Sequence, residues 1–227
     1  MDDGHDDRGG RHTYDWWSRH PRALDVLYAV AFLGRERTFR RRAMQTLDPG
    51  SGERVLEIGC GTGNSFRSIR GGVGADGAVV GLDVSGGMVT AANDRVRDAD
   101  WRNVHPVLGD AREPPLDLAS FDAAYAAMSL SAVPEPERAI EAVGALLRPG
   151  GRFVVLDAQP FQRWPWRVAN PLVVPIAESA TNWVPEVDLL ASLQREFETV
   201  SVETYHAGSL FVARATLGRQ SGRGEQG

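Results

Sequence analysis

VLEIGCGTGNS, residues 55–65, sets a short apolar run ahead of three glycines at alternate positions, with a helical pattern behind them. The run Arg54 to Ile58 reads as a short apolar strand, and Thr62 to Ile69, closed by Gly71-Gly72, reads as a helix. Gly59, Gly61 and Gly63 therefore make a strand-to-helix turn whose backbone angles, or whose close approach to a neighbour, exclude a Cβ. In a parallel sheet such a turn stands at the carboxyl end of its strand, where ligands bind. A tight turn with no ligand is the plainer alternative. The spacing G-x-G-x-G departs from the G-x-G-x-x-G of dinucleotide sites, which seats a pyrophosphate on a helix N-terminus.

Outward from that turn the chain alternates. Ala78 to Val84 is a second strand, followed by a helix from Gly86 to Arg97 with Met88, Ala92 and Val96 on one face. His105 to Leu108 and Phe121 to Met128 are a third and a fourth strand. The helix from Pro134 to Leu147 is well marked, with proline in its first turn, Glu135 and Glu137 near the positive end of its dipole, and a stripe of Ala139, Ile140, Val143, Leu146 and Leu147. Arg148-Pro149-Gly150-Gly151 stops it, and Arg152 to Leu156 is a fifth strand. Strands alternating with helices build right-handed βαβ units, so the expected fold is a doubly wound, mostly parallel α/β sheet covered on both sides.

At 227 residues the chain fits one domain. Residues 1–11 and 216–227 are rich in Gly, Asp, Arg and Gln with no apolar period and are expected to be disordered tails, which leaves 12–215 as the domain. Within it, residues 12–48 read as N-terminal cap helices, Pro21 to Leu33 and Arg35 to Leu47, the second carrying Phe39, Ala43 and Leu47 at i, i+4 spacing. Cys60 is the only cysteine, which excludes an intrachain disulfide and a Cys-based metal site and fits a reducing compartment. The acidic start is unlike a signal peptide, and Val26 to Leu33 falls far short of the roughly 20 apolar residues that span a bilayer. A cytoplasmic protein is expected, at most peripheral to a membrane. A formal charge of −5 argues against nucleic acid as a partner.

VLEIGCGTG resembles the first motif of the class I S-adenosylmethionine-dependent methyltransferases, and further matches follow in order: GLDVSGGM at 81–88, LGDA at 108–111, FDAAYAAMSL at 121–130 and LLRPGGRFVVLD at 146–157. The resemblance covers about Arg54 to Asp157. A helix near Pro185 to Phe197 and strands near Val200 to Tyr205 and Leu210 to Ala215 are similar to the closing antiparallel hairpin of that fold. It implies a Rossmann-like sheet of seven strands and S-adenosyl-L-methionine as cofactor, held by Gly59, Gly61, Gly63, Val84 and Met128 among others. Asp83, 22 residues past Gly61, ends the second strand, where a carboxylate accepts hydrogen bonds from both hydroxyls of a ribose; alternatively it caps the helix that starts at Ser85. Glu57 lies in a strand that otherwise reads as buried and is costly there unless partnered, so it is expected to face the cofactor; the resemblance implies the amino acid moiety. Asp110 and Ala111 are placed to read the adenine edge, or Asp110 is an exposed loop acid. Met88 packs beside the adenine or ribose, or is ordinary core. Cys60 reads as a small filler. Tyr14-Asp15 resembles the opening of small-molecule and lipid methyltransferases, in which the tyrosine approaches the cofactor.

Methyl transfer from a sulfonium requires no metal, and the five histidines have neither zinc-like spacing nor a Ser-His-Asp signature, so no metal is expected. A hydroxyl or acidic ring carbon as acceptor needs a base, for which Tyr14, His20, Asp157 and His206 are candidates, each readable as structural instead. The insert at 159–185 places Phe161, Trp164, Trp166 and Trp183 beside Arg163 and Arg167, then an apolar run from Pro171 to Ala177. It either completes the core, as Leu172 to Ile176 reads, or caps a small apolar acceptor such as a phospholipid amine or a quinone ring, with peripheral membrane contact through 161–177. Two other readings stay open: a nucleotide-cofactor oxidoreductase, opposed by the glycine spacing, and a cofactor-binding module without catalysis.

Overall fold

The computed structural model describes residues 35–181 and 187–219. Tyr14, His20 and Trp183, the expected helix 21–33 and the tail at 1–11 lie outside the described residues. Among the described residues thirteen α-helices and strands follow in order: α1 (Glu36–Leu47), β1 (Arg54–Ile58), α2 (Phe66–Val73), β2 (Ala78–Asp83), α3 (Gly86–Asp98), β3 (Val104–Leu108), β4 (Phe121–Ala127), α4 (Pro136–Leu146), β5 (Leu147–Ala158), α5 (Asn170–Thr181), α6 (Leu189–Glu196), β6 (Thr199–Tyr205) and β7 (Leu210–Thr216). They form one seven-stranded sheet in the order β3-β2-β1-β4-β5-β7-β6. The pairings among β1 to β5 are parallel, whereas β7 runs antiparallel to both β5 and β6. Strand order reverses between β1 and β4, and the crevice that opens at such a reversal lies at the glycine turn.

Period-two alternation divides the apolar runs between two core layers. Leu56, Ile58 and Leu82 meet Ile140 and Val143 of α4 and Leu193 of α6 on one face. Val55, Val79 and Tyr125 meet Phe39, Ala43 and Leu47 of α1 and Phe66 and Ile69 of α2 on the other. Each large side chain in these layers is worth roughly 1.5–3 kcal/mol of transfer free energy. The same alternation turns Glu57 to the α1 and α2 side, in register with Tyr125 of β4 and Gly81 of β2.

Arg152 of β5 fastens α1 to the sheet. Its Nε donates to the carbonyl of Leu47 at 2.5 Å and its Nη2 to that of Asp48 at 2.8 Å, while both Nη atoms grip the carboxylate of Glu53 at 2.8 and 2.6 Å. Two carbonyls that the helix end leaves without intrahelical partners are thereby satisfied.

Several boundaries differ from expectation, among them the well-marked helix, which runs from Pro136 to Leu146 rather than from Pro134 to Leu147, and three further differences have a local cause. α2 starts at Phe66 rather than Thr62, because Gly63 still holds a left-handed φ of 75°, and it passes through Gly71-Gly72 to end at Val73, with Gly74 as its cap. β5 begins at Leu147 and carries Pro149-Gly150 within it, with a register shift against β4. β7 includes Thr216, and the amide of Leu217 donates to the carbonyl of Gly151, so the ordered chain passes the expected boundary at 215. Among the described residues no helix is long and apolar enough to cross a membrane.

Candidate functional site

The three glycines of the turn all have left-handed φ: 63° at Gly59, 53° at Gly61 and 75° at Gly63. Their surroundings differ. A Cβ on Gly59 would collide with Ser129, whose hydroxyl donates to the carbonyl of Ile58 at 2.7 Å. One on Gly63 would stand 2.5 Å from the ring of Phe66. One on Gly61 would meet nothing within 4 Å. Gly59 and Gly63 are thus enforced by the protein's own packing, and the open space lies over Gly61 alone. The Cys60 amide donates to the carbonyl of Leu82, tying the turn to β2.

Asp83 at the end of β2 holds the turn at Gly61. Its Oδ2 accepts from the Gly61 amide at 2.8 Å and its Oδ1 from the Ser85 amide at 2.9 Å. Burial raises its pKa, against the amide hydrogen bonds from Ser85, Gly61 and Val84. The cap of α3 is Ser85, whose hydroxyl accepts from the Met88 amide, so the capping alternative for Asp83 does not hold. A carboxylate offers about four acceptor positions, so further capacity remains for a ligand.

Glu57 is buried, with Oε2 lacking a hydrogen-bond partner, and Tyr125, in register with it on β4, is buried too. Burial pushes the pKa of Glu57 up to about 8, opposed by the Ser65 hydroxyl and by the charge of Arg40 on α1. Burial likewise raises that of Tyr125, again opposed by Arg40. Sequence reading missed Arg40, Ser65 and Tyr125. The signals present were an arginine next to the buried stripe of α1 and a lone hydroxyl in an alanine strand, and only the register joins them.

Along the same edge, Val84 and Leu108, at the ends of β2 and β3, are exposed apolar side chains. Leu108 was not anticipated. Met88 is buried near the start of α3, and Met128, with a φ of 58°, follows β4. Asp110 and Ala111 follow β3 as expected, and Arg112 binds the Asp110 carboxylate through Nε at 3.1 Å and Nη2 at 2.6 Å. Asp110 is therefore an ion-paired acid rather than a free loop carboxylate. Cys60 is buried and its thiol pKa is pushed up by burial, with Glu57 and Asp83 adding to it, which suits a filler.

Of the base candidates in the described residues, Asp157 is fully buried and braces the end of β5 against the 3-10 turn at Leu130–Ala132. Its Oδ2 accepts from the Ser131 amide at 3.0 Å, and its Oδ1 from the Ser131 hydroxyl at 2.5 Å and the Ala158 amide at 2.8 Å. His206 stands in the β6–β7 turn at a left-handed φ of 47°, its ring 5.0 Å from that of Phe39. Its Nε2 is buried without a partner, and burial, followed by the charge of Arg35, lowers its pKa. The insert lies against this turn. The amides of Gln162 and Arg163 donate to the Ala207 carbonyl and Nε2 of Gln159 to that of Gly208. The expectation that Leu172 to Ile176 completes the core fails at its start, because Leu172 and Val173 are exposed.

These residues fit S-adenosylmethionine. The space over Gly61 admits close approach, the remaining acceptor capacity of Asp83 suits a hydroxyl, the orphaned Oε2 of Glu57 suits an ammonium, and Val84 and Leu108 offer apolar contact to a flat ring.

Residues 55–151 match the methyltransferase domain family. A demethylmenaquinone methyltransferase of Bacillus mycoides (strain KBAB4) is 29% identical over 149 residues, covering 65% of this chain and 63% of that protein. The match thus spans less than two thirds of that relative's length. A SAM-dependent methyltransferase from Aquifex aeolicus superposes with a TM-score of 0.57 at 19% identity, covering 78% of this chain and 89% of that one. The [4+2]-cyclase SpnF superposes with a TM-score of 0.65 at 20% identity, covering 82% of each chain. At these identities the superpositions establish the fold and not the reaction.

Proposed function

We propose that this chain, which carries a methyltransferase domain at residues 55–151 on the Rossmann-like sheet of class I S-adenosylmethionine-dependent methyltransferases, transfers a methyl group from that cofactor to a small apolar acceptor, foremost a quinone ring. The observation that carries it is the open space over Gly61, whose amide Asp83 holds, together with the buried Oε2 of Glu57, which lacks a hydrogen-bond partner. The quinone ring is favoured because the curated relatives bear the name demethylmenaquinone methyltransferase.

When bound, the cofactor supplies a methyl group already activated on a sulfonium. Asp83 accepts hydrogen bonds from the ribose hydroxyls while its other lone pairs keep the turn in place. Glu57 takes the ammonium, and Arg40, paired with Glu36 at 2.7 Å, brings positive charge for the carboxylate. Val84 and Leu108 flank the adenine, with Asp110 and Ala111 at its edge and Met88 beneath. Positive charge disperses as the methyl moves, so a site closed to water favours the displacement, and alignment of the two reactants supplies much of the remaining rate. A reduced quinone ring carbon becomes nucleophilic as its hydroxyl loses a proton. His206, whose pKa burial lowers and whose Nε2 lacks a partner, is the described residue assigned to receive it.

The test is incubation with S-adenosylmethionine labelled in its methyl group and with demethylmenaquinone under reducing conditions. Label in the quinone fraction is expected, and the His206→Gln variant should lose kcat by about 10²–10⁴-fold, the scale of a general base. Tight cofactor binding with no transfer to quinone or to a cell lipid extract would make the chain a binding module.

A further inference from the structure

The insert after β5 exposes an apolar surface that the reaction described above does not use. Trp164 is 83% exposed, Val168 72%, Leu172 70%, Trp166 58% and Val173 42%. So many large apolar side chains exposed within residues 164–173 mark an interaction site. The segment is held in place rather than loose. Asn170 clamps the backbone of Phe161 in both directions, at 2.9 and 3.0 Å, and residues 159–163 are hydrogen-bonded to the β6–β7 turn. That turn contains His206, so the surface borders the edge of the sheet that carries the proposed base.

Charge indicates the occupant. In a chain of formal charge −5, residues 159–177 contain no acid, and their only charged groups are Arg163 and Arg167, both exposed. Tryptophan prefers a boundary wet on one side and apolar on the other, and arginine lays its stem along apolar surface while its guanidinium meets phosphate. We propose that residues 161–173 dock the protein onto an anionic membrane surface. The proposal deepens the reading of an apolar acceptor, since a quinone dissolved in a bilayer is reached most directly by an enzyme seated on it. Docking orients the carboxyl edge of the sheet toward the lipid, and the two arginines give it a preference for anionic headgroups that salt weakens.

The full chain is co-sedimented with vesicles of phosphatidylcholine alone and of phosphatidylcholine with phosphatidylglycerol, at low and high salt. Binding to the anionic vesicles is expected, reduced about tenfold or more by Trp164→Ser with Trp166→Ser. Arg163→Gln with Arg167→Gln should abolish the preference for anionic lipid. Titration of S-adenosylmethionine into each variant should give unchanged affinity, which shows the fold and cofactor site intact. Vesicle binding needs neither cofactor nor turnover, so failure of docking is distinct from failure of methyl transfer. The proposal is overturned by absence of binding, or by equal binding of wild type and tryptophan variants. It is equally overturned if sedimentation velocity shows a dimer that the tryptophan variants disperse, or if binding appears only after residues 1–34 are removed; the face would then cover a second copy or the chain's own start.

Discussion

Gly59 and Gly61 share a backbone conformation and differ in what stands opposite. An alanine at either position incurs about 1–2 kcal/mol for its left-handed φ. At Gly59 a collision with Ser129 is added, so Gly59→Ala should lower unfolding free energy by about 3 kcal/mol or more, whereas Gly61→Ala should cost only the conformational term and lose cofactor affinity. Denaturant unfolding with ligand titration checks the contrast, and a larger stability loss at Gly61 would contradict the cradle. Glu57 gives a second expectation at this scale. Its native pKa is raised from 4.5 to about 8, so the folded protein retains a proton that the unfolded chain has released. The stability this provides is full below about pH 4.5 and is lost as pH rises to about 8, at roughly 1.4 kcal/mol per unit. In the ligand-free protein Glu57→Gln should therefore gain stability relative to wild type across that window, by a few kcal/mol in total. Parallel pH profiles for the two proteins would show that Glu57 is solvated.

The elements differ in how far local sequence determines them. β1, β2 and β4 are legible as apolar runs because both faces are covered, and α4 because its stripe and first-turn proline agree. The start of α2 is not legible, since the left-handed Gly63 prolongs the turn and only tertiary packing against Phe66 shows it. Nor is the start of β5, where pairing with β4 carries a strand through Pro149-Gly150 despite their breaker character. Of the site, Asp83 and the glycines were readable from spacing. Arg40, Ser65 and Tyr125 were not, because nothing in their own segments relates them to Glu57; the relation is the register of β1 with β4 and the docking of α1. Arg152 reinforces that docking beside the apolar stripe of Phe39, Ala43 and Leu47. Arg152→Ala removes charge-assisted bonds to Glu53 and to two carbonyls, so it should lower stability by about 2–4 kcal/mol and weaken cofactor binding through displacement of Arg40. Thermal unfolding and ligand titration measure both. An unchanged melting temperature would mean that the apolar stripe of α1 holds it alone.

At the scale of the molecule, the sheet brings separate short segments to one edge: the glycine turn from β1, Asp83 from β2, Leu108 from β3, Met128 from β4 and His206 from the β6–β7 turn. A dinucleotide enzyme shares the sheet's general plan, so the order of strands alone does not choose between cofactors. The choice falls on Asp83, Glu57 and the space over Gly61 acting together. The most direct measurement is isothermal titration of S-adenosylmethionine and of a nicotinamide dinucleotide into wild type and into Asp83→Ala, with circular dichroism to show that the variant is folded. Wild type should bind S-adenosylmethionine and give no heat with the dinucleotide, and Asp83→Ala should bind S-adenosylmethionine more weakly by about 2–4 kcal/mol, the scale for removing a charged partner from buried hydroxyls. Equal affinity in the folded variant, or preference for the dinucleotide, would contradict the account.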